Sequence, residues 1–207
     1  MKKLLFPSIL IAAAAVTAFT TADITSFSVG TALPKGDVKM TNVITGKEIT
    51  LADSKKENGL LVVFSCNTCP FVIKQETQIL ETAKLAMENK MGVVIINSNE
   101  AKRDGDDSNN AMRVYASKQG YDFPYAVDKN SELADAFGAT RTPEVFLFDK
   151  NLKLVYKGAY VDDTELANAK IFYLKDAITS VKDGKAVAVS STKSVGCTIK
   201  RVVAKKD

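Results

Sequence analysis

The most constraining feature of this sequence is an apolar run that leads directly into two closely spaced cysteines. Residues 60–64 read Leu-Leu-Val-Val-Phe, and Cys66-Asn67-Thr68-Cys69-Pro70 follows one residue later. Consecutive β-branched and aromatic residues are typical of a strand that is buried on both faces. Pro70 suits the first turn of a helix, where its missing N–H and its fixed φ cost nothing. We therefore predict a buried strand, a cysteine pair and a helix in immediate succession.

This succession predicts a redox-active pair. An apolar stripe at helical spacing continues from Ile79 to Met87, so we expect one helix that ends before Gly92. We expect Cys66 at its N-terminus, where free backbone N–H groups and the helix dipole favour the thiolate. Cys69 would lie within disulfide reach, and both sulfurs would be accessible to a substrate. Cys66 would then attack a foreign disulfide, and Cys69 would resolve the mixed disulfide.

Two structural interpretations of the pair are weaker. A zinc site usually needs four Cys or His ligands, whereas the chain has three cysteines and no histidine. A purely structural disulfide across so short a loop gains little chain-entropy stabilisation. Because the chain has three cysteines, pairing of Cys66 with Cys69 leaves Cys197 over. Cys197 could then pair with another molecule, take part in a second redox step or be an inert buried thiol.

The N-terminus has the composition of a secretory signal peptide. Lys2 and Lys3 precede an apolar run over residues 4–18, and small residues at positions 20–22 offer a cleavage site. An uncleaved membrane anchor is the alternative, but a span needs about 20 apolar residues. Removal of residues 1–22 would leave one domain, residues 23–207, in an oxidising periplasmic or extracellular compartment.

The order of the remaining elements predicts a mixed sheet. Alternating residues over 38–43 and 48–51 predict an N-terminal β-hairpin. Residues 92–97 predict a second buried strand, which forms a parallel β-α-β unit with the first. We interpret the polar residues 99–110 as a surface loop that ends in a helix cap, because the glutamate that closes a calcium-binding EF-hand is missing.

The second half of the chain predicts another hairpin and a last helix. Helices are predicted over residues 109–119 and around 133–137, and residues 145–148 and 153–156 predict an antiparallel hairpin that opens at Pro143. We expect the last helix to begin near Asp162 and to end by Gly184. Its buried side would carry Leu166, Ile171, Leu174, Ile178 and Val181. Residues 185–207 form a C-terminal extension that carries Cys197.

These residues resemble the thioredoxin superfamily, in particular its secreted branch related to redoxins and to the alkyl hydroperoxide reductase/thiol-specific antioxidant group. The resemblance covers residues 30–181 and rests on the Cys-x-x-Cys after a buried strand, on the β-α-β order and on Thr142-Pro143 before a hairpin. It implies an α/β three-layer sandwich, with a mixed central sheet flanked by helices, an N-terminal β-hairpin and the C-terminal extension. It also implies a cis Pro143, and Thr142 and Pro143 would flank the substrate chain beside the two sulfurs.

The end of the chain resembles a subgroup with an extra C-terminal cysteine. This resemblance makes Cys197 a third redox partner, whereas a small buried apolar residue is the alternative. The buried aspartate with which thioredoxins move protons is missing from the strand at residues 60–64. Glu76 and Glu144 are candidates for the proton acceptor by sequence proximity, and a solvated surface charge is the alternative for each.

The leading hypothesis is an extracytoplasmic thiol–disulfide oxidoreductase that acts on protein disulfides through Cys66 and Cys69. Asn67 and Thr68 offer neutral donors and no positive charge near Cys66, which favours reduction of partners over strong oxidation. The predicted partners are a disulfide-containing protein and an electron donor, with no cofactor and no metal. The chain has a net charge of +4 and no basic cluster that indicates nucleic-acid binding.

Two other functions compete with this hypothesis. A thiol peroxidase of the peroxiredoxin type would carry a threonine three residues before its reactive cysteine, whereas Val63 stands three residues before Cys66 and Cys66 itself stands three before Cys69. A thiol-based metal or partner binding protein could hold copper(I), with Cys197 as a third ligand.

Overall fold

The computed structural model describes residues 27–202. The predicted signal peptide, residues 1–22, therefore lies outside the described residues. The strands are β1 Met40–Asn42, β2 Glu48–Ile49, β3 Gly59–Ser65, β4 Met91–Asn97, β5 Tyr125–Val127, β6 Arg141–Thr142, β7 Glu144–Phe148, β8 Leu154–Gly158 and β9 Cys197–Thr198. The α-helices are α1 Leu51–Ser54, α2 Pro70–Lys74, α3 Glu76–Glu88, α4 Asn109–Gln119, α5 Glu132–Phe137 and α6 Tyr173–Lys182.

Seven strands form one mixed sheet in the order β2-β1-β5-β4-β3-β7-β8, and β6 and β9 form a separate two-stranded sheet. β3, β4 and β5 are parallel, whereas β7, β8, β1 and β2 join the sheet by antiparallel pairing. The predicted N-terminal hairpin is confirmed as β1 and β2, and it extends the sheet through β5. The hairpin of β7 and β8 is confirmed as well.

Helices cover both faces of the sheet, which confirms the three-layer architecture. β3 is buried along its whole length and alternates between two hydrophobic clusters. Leu61 and Val63 face the cluster that includes residues of α2, α3, α4 and α6. Leu60, Val62 and Phe64 face the cluster that includes residues of α1 and α5. Burial on both faces explains why this strand reads as a continuous apolar run.

The helix after the cysteines is split in two, whereas the sequence predicted one continuous helix. Gln75 ends α2 and precedes α3, and its ψ of 9° departs from helical geometry. The apolar stripe still packs as predicted, because Ile79, Ala83 and Ala86 are buried.

The last helix begins eleven residues later than predicted, at Tyr173 instead of Asp162. The Asp162 carboxylate accepts hydrogen bonds from the backbone N–H groups of Lys170 and Ile171, at 2.9 and 3.0 Å. These bonds close residues 162–171 into a loop, so Leu166 and Ile171 are exposed and do not contribute to the core. Aspartate often stabilises such loops because its side chain competes with helical hydrogen bonding.

Candidate active site

The sheet presents Cys66 at the carboxyl end of β3, and Cys69 follows at the start of α2. Cys69 is the N-cap residue of α2, and Pro70 occupies the first helical position as predicted. All three cysteines are free thiols. The sequence prediction placed Cys66 at the helix N-terminus, and this placement is wrong by three residues because the chain bends at residues 67 and 68 and the helix begins only after Cys69.

Both cysteines are buried, which corrects the expectation that their sulfurs would be accessible. Cys66 is 2% exposed and Cys69 is 3% exposed. The C-terminal segment lies across this site, because β9 pairs with β6 immediately before Pro143.

The cis bond between Thr142 and Pro143, which the resemblance implied, is present. Thr142 contacts both sulfurs: its Oγ1 lies 3.4 Å from the Cys66 Sγ, and its carbonyl oxygen accepts a hydrogen bond from the Cys69 Sγ at 3.2 Å. Thr142 and Pro143 are both buried beside the pair. The structure thus brings together four of the five residues that the sequence analysis selected.

The fifth residue, Cys197, is also close. Cys197 lies opposite Thr142 in the antiparallel pairing of β9 with β6. Residues that face each other in this way have their side chains on the same side, with Cβ atoms about 5 Å apart. Cys197 lies close enough to the Cys69 sulfur for its thiol and backbone N–H to lower the pKa of the Cys69 thiol. Three thiols therefore meet at one end of the sheet.

The hydrogen bonds around the sulfurs make Cys69 the more acidic member of the pair. The donor that lowers the pKa of the Cys69 thiol most is Cys66, and the Cys197 thiol and the backbone N–H of Val72 act in the same direction. The Thr142 carbonyl opposes ionisation, because it accepts the proton of the thiol form. Because several donors face this single acceptor, the net effect of these hydrogen bonds is to lower the pKa of the Cys69 thiol.

Cys66 behaves in the opposite way. Donation of its proton to Cys69 and burial raise the pKa of the Cys66 thiol, and the nearby carboxylate of Asp107 adds to this effect. The two thiols titrate as a coupled pair. The first proton lost leaves a thiolate on Cys69 with Cys66 still protonated.

A buried carboxylate that the sequence analysis missed positions the Cys66 loop. Asp107 is fully buried and accepts hydrogen bonds from the backbone N–H of Asn67 at 3.0 Å, from the Asn97 side chain at 2.7 Å and from the Asn99 side chain at 2.9 Å. The interpretation of residues 99–110 as a surface loop is therefore wrong at Asp107. The acidic residues around Asp107 are exposed, so the segment as a whole has the composition of a surface loop.

Asn67 belongs to the same network. Its side-chain amide donates to the Asp106 carbonyl oxygen at 2.8 Å, and the Tyr125 hydroxyl donates to its Oδ1 at 2.9 Å. The sequence analysis expected Asn67 to offer a donor to the Cys66 sulfur. Its donors bind Asp106 and Asp107 instead, so its function is to fix the loop between the cysteines.

Glu76 is buried, so the alternative of a solvated surface charge is wrong for this residue. Its Oε2 accepts a hydrogen bond from the Tyr115 hydroxyl at 2.7 Å. Its Oε1 and the hydroxyls of Tyr121 and Tyr160 are buried without a hydrogen-bond partner. Burial raises the pKa of the Glu76 carboxyl, against the lowering effect of the Tyr115 hydrogen bond. Glu144, by contrast, is half-buried and accepts hydrogen bonds from the backbone of Thr140 and Arg141.

We predict that Glu76→Gln stabilises the protein, relative to the wild type, more at pH 7 than at pH 4. The raised pKa means that, above the ordinary glutamate pKa of about 4.3, the unfolded chain releases this proton more readily than the folded chain does. The contribution of Glu76 to stability therefore falls as pH rises through this range, and glutamine removes the decline. Urea unfolding of both proteins at pH 4 and pH 7 measures the difference. The exposed Glu88→Gln on α3 serves as the control, and an equal response of both variants would contradict the prediction.

A family model described as Redoxin matches residues 28–172. The chain belongs to the Redoxin family. This match covers both cysteines of the pair and the cis Pro143, and it ends before the segment that carries Cys197. A search of curated proteins finds no match.

Two solved structures resemble this redoxin along almost their whole length. An uncharacterized conserved protein from Geobacillus kaustophilus has 32% sequence identity and a TM-score of 0.80, and the match covers 87% of this chain and 95% of that one. A hypothetical protein from Sinorhizobium meliloti 1021 has 32% identity and a TM-score of 0.77, over 86% of this chain and 97% of that one.

A third structure supports the fold. The thioredoxin domain of a thiol-disulfide oxidoreductase from Bacteroides vulgatus has 16% identity and a TM-score of 0.55, over 69% of this chain and 96% of that one. The chain therefore has a thioredoxin-like fold, and this fold together with the family points to an oxidoreductase.

Two further observations concern the described residues alone. Within residues 27–202, no helix has the length and apolar character needed to cross a membrane. In the same range, no three or more Cys, His, Asp or Glu side chains are arranged to hold a metal ion.

Proposed function

We propose that this redoxin is an extracytoplasmic thiol–disulfide oxidoreductase whose Cys66–Cys69 pair reduces or exchanges disulfides of protein substrates. The observation that carries the proposal is the placement of both thiols against Thr142, next to the cis Thr142–Pro143 bond: the Thr142 Oγ1 lies 3.4 Å from the Cys66 Sγ, and the Thr142 carbonyl oxygen accepts from the Cys69 Sγ at 3.2 Å. One thiol is acidic and its partner holds a proton. A pair that splits its pKa values in this way can attack a disulfide and then close on itself.

The acidity of Cys69 supports a reaction order opposite to the predicted one. The Cys69 thiolate attacks one sulfur of the substrate disulfide, and the second substrate sulfur leaves as a thiolate. Cys66 then loses its proton and attacks the Cys69 sulfur, which releases the first substrate sulfur and forms the Cys66–Cys69 disulfide. The substrate gains two electrons and the pair loses two. An external thiol donor returns the pair to its reduced form.

The substrate is proposed to bind as an extended chain beside Thr142 and Pro143. β6 offers a backbone edge there, and in the described structure β9 of the same chain pairs with it. Main-chain pairing of this kind binds many sequences with little preference, which suits an enzyme that acts on unrelated protein disulfides. The signal peptide predicted at residues 1–22 supports a periplasmic or secreted location for a single domain at residues 23–207.

Cysteine replacement tests the proposal. The purified protein is expected to reduce insulin disulfides with dithiothreitol as donor, and Cys69→Ser, which lacks the attacking thiol, is expected to fall to background. The double variant Cys66→Ser/Cys197→Ser retains the attacking thiol and lacks every other thiol that could resolve the intermediate, so it is expected to accumulate a mixed disulfide on Cys69 that mass spectrometry detects. Reductase activity that survives Cys69→Ser would refute the mechanism.

A thiol peroxidase is the second candidate, and one contact favours it. The Cys66 thiol donates a hydrogen bond to Cys69 from three residues upstream, the place that peroxiredoxins fill with a threonine. The arginines near the site bind elsewhere: Arg103 donates to the carbonyl oxygens of Asp107 and Asn97, and Arg141 donates to Gly196 and Thr198. Consumption of hydrogen peroxide that is faster than insulin reduction, with the same donor, would favour this candidate.

A further inference from the structure

The C-terminal segment is fixed on both sides of Cys197, so the position of this cysteine next to the pair is built into the fold. Upstream, the backbone N–H of Thr192 donates to the Lys157 carbonyl oxygen at 3.0 Å, and its Oγ1 accepts from the backbone N–H of Ala159 at 2.9 Å. Downstream, Ile199 is buried in the core with 3% exposure, and its backbone N–H donates to the Thr140 carbonyl oxygen at 3.1 Å.

Charged and polar contacts extend this downstream anchor. Arg201 donates to the Asp135 carboxylate and to the Ala139 carbonyl oxygen, both at 2.7 Å. The backbone N–H of Lys200 donates to the Asn99 side chain at 2.8 Å. Cys197 therefore lies in the middle of a tethered segment, and its distance from the pair varies little while these anchors hold.

Gly196 explains how the segment approaches the cis-proline loop so closely. A Cβ atom at this position would lie 2.2 Å from the Thr142 carbonyl oxygen and 3.2 Å from the Pro143 nitrogen. Real Cβ atoms do not approach backbone atoms so closely, so any other residue would push β9 away from β6. The absence of a side chain immediately before Cys197 thus permits the close pairing of β9 with β6 that places Cys197 beside Cys69.

We infer that Cys197 is a third redox cysteine that exchanges with Cys69, so that the oxidised protein interconverts between a Cys66–Cys69 and a Cys69–Cys197 disulfide. This inference rests on the proposed function, because it begins from the disulfide that substrate reduction leaves behind. Cys69 is the common sulfur of both forms, since Thr142 brings it next to Cys66 on one side and Cys197 on the other.

The exchange conserves atoms and electrons. Cys197 loses its proton and its thiolate attacks the Cys69 sulfur. The Cys69–Cys197 bond forms as the Cys66–Cys69 bond breaks, and the electron pair of the broken bond leaves on Cys66, which takes up a proton. No external oxidant or reductant takes part. In the product, β9 is covalently attached to the start of α2, and Cys66 is again a free thiol.

The peptide masses of the chain allow a direct test. Cleavage after lysine leaves Cys66 and Cys69 together in residues 57–74, and Cys197 in residues 194–200. We expect wild-type full-length protein, oxidised with glutathione disulfide and trapped with N-ethylmaleimide at low pH, to yield two species. One is residues 57–74 with an internal disulfide, and the other is residues 57–74 linked to 194–200. Cys66→Ser, which lacks the competing partner, is expected to yield the linked species alone.

Gly196→Ala tests the geometry without removing a thiol. We expect it to reduce the linked species by about tenfold or more, since a displacement of about 1 Å can cost as much as a hundredfold in an intramolecular reaction. Gly105→Ala is the matched control, because its nearest neighbour is a Lys102 carbonyl oxygen at 4.0 Å. Equal yields from Gly196→Ala and Gly105→Ala would overturn the inference.

The outcomes separate this inference from the proposed function. An internal disulfide in residues 57–74 of the wild type, with no linked species in either the wild type or Cys66→Ser, would overturn the inference and leave the proposed function intact. A wild-type protein that forms neither species would overturn both. Linked peptides from Cys69→Ser that match those from Cys66→Ser would show that Cys69 is not the common sulfur, and would also overturn the inference.

Discussion

At pH 5, iodoacetamide is expected to modify Cys69 about tenfold faster than Cys66. An ordinary thiol with a pKa of about 8.5 is ionised to roughly one part in 3000 at this pH. The hydrogen bonds that converge on the Cys69 sulfur lower its pKa, and burial and donation to Cys69 raise that of Cys66. A more acidic thiolate is a weaker nucleophile, by roughly threefold for each pKa unit, and this loss offsets part of the gain in ionisation without cancelling it.

Exposure does not explain such a difference, because both residues are buried to almost the same degree. The two sites are distinguished by fragmentation of the peptide of residues 57–74 after a short exposure to the reagent. The expected pH profile of Cys69 is nearly flat from pH 5 to 7, whereas that of Cys66 rises throughout this range. Faster modification of Cys66 at pH 5 would restore the reaction order that the sequence predicted.

A matched pair of variants identifies the cause. Serine at position 66 can still donate a hydrogen bond to the Cys69 sulfur, whereas alanine cannot. Since the donor at position 66 has the largest effect on Cys69, Cys66→Ala is expected to move the midpoint of the Cys69 profile to higher pH than Cys66→Ser does. Identical midpoints of the two Cys69 profiles would show that Val72 and Cys197, and not the donor at position 66, lower the pKa of Cys69.

Asp107→Ala is expected to lower the free energy of unfolding by about 3 kcal/mol. The substitution leaves three buried donors without an acceptor: the Asn67 backbone N–H and the side-chain amides of Asn97 and Asn99. Each unpaired buried group costs about 1–3 kcal/mol, and relaxation of neighbours in one network makes the sum smaller than three separate costs.

Urea unfolding measures this effect. With a typical slope of about 2 kcal/mol per M, the midpoint is expected to fall by about 1.5 M. Asp106→Ala is the control, because Asp106 is exposed and contributes to the network through its backbone carbonyl oxygen alone. Its stability is expected to stay within about 0.5 kcal/mol of the wild type. A loss of similar size in both variants would contradict the assigned function of Asp107.

The sequence predicts this fold well where the pattern is long and apolar. β3 and β4 read as buried strands because both faces are covered, and the hairpins at the two ends of the sheet follow from alternation and turn residues. The start of α6 was predicted wrongly because an apolar pattern continues through residues 162–171. A single carboxylate, that of Asp162, holds these residues in a loop.

The site was predictable in its residues and not in its arrangement. Cys66, Cys69 and Pro143 were found from spacing and resemblance, but the burial of the sulfurs depends on β9, which is more than fifty residues beyond Pro143 and only two residues long. Asp107 was missed for a related reason: its partners at positions 67, 97 and 99 come from different parts of the chain. Long-range pairings of this kind leave no local periodicity.

Asn99 connects the two halves of the site. One end of its side chain donates to Asp107, which fixes the loop between the paired cysteines, and the other end accepts from Lys200 just beyond β9. A polypeptide that takes the place of β9 on β6 would displace Lys200 and remove this second bond, so the Asn99 side chain would then be held by Asp107 alone. Occupation of the β6 edge is thereby connected to the carboxylate beside Cys66.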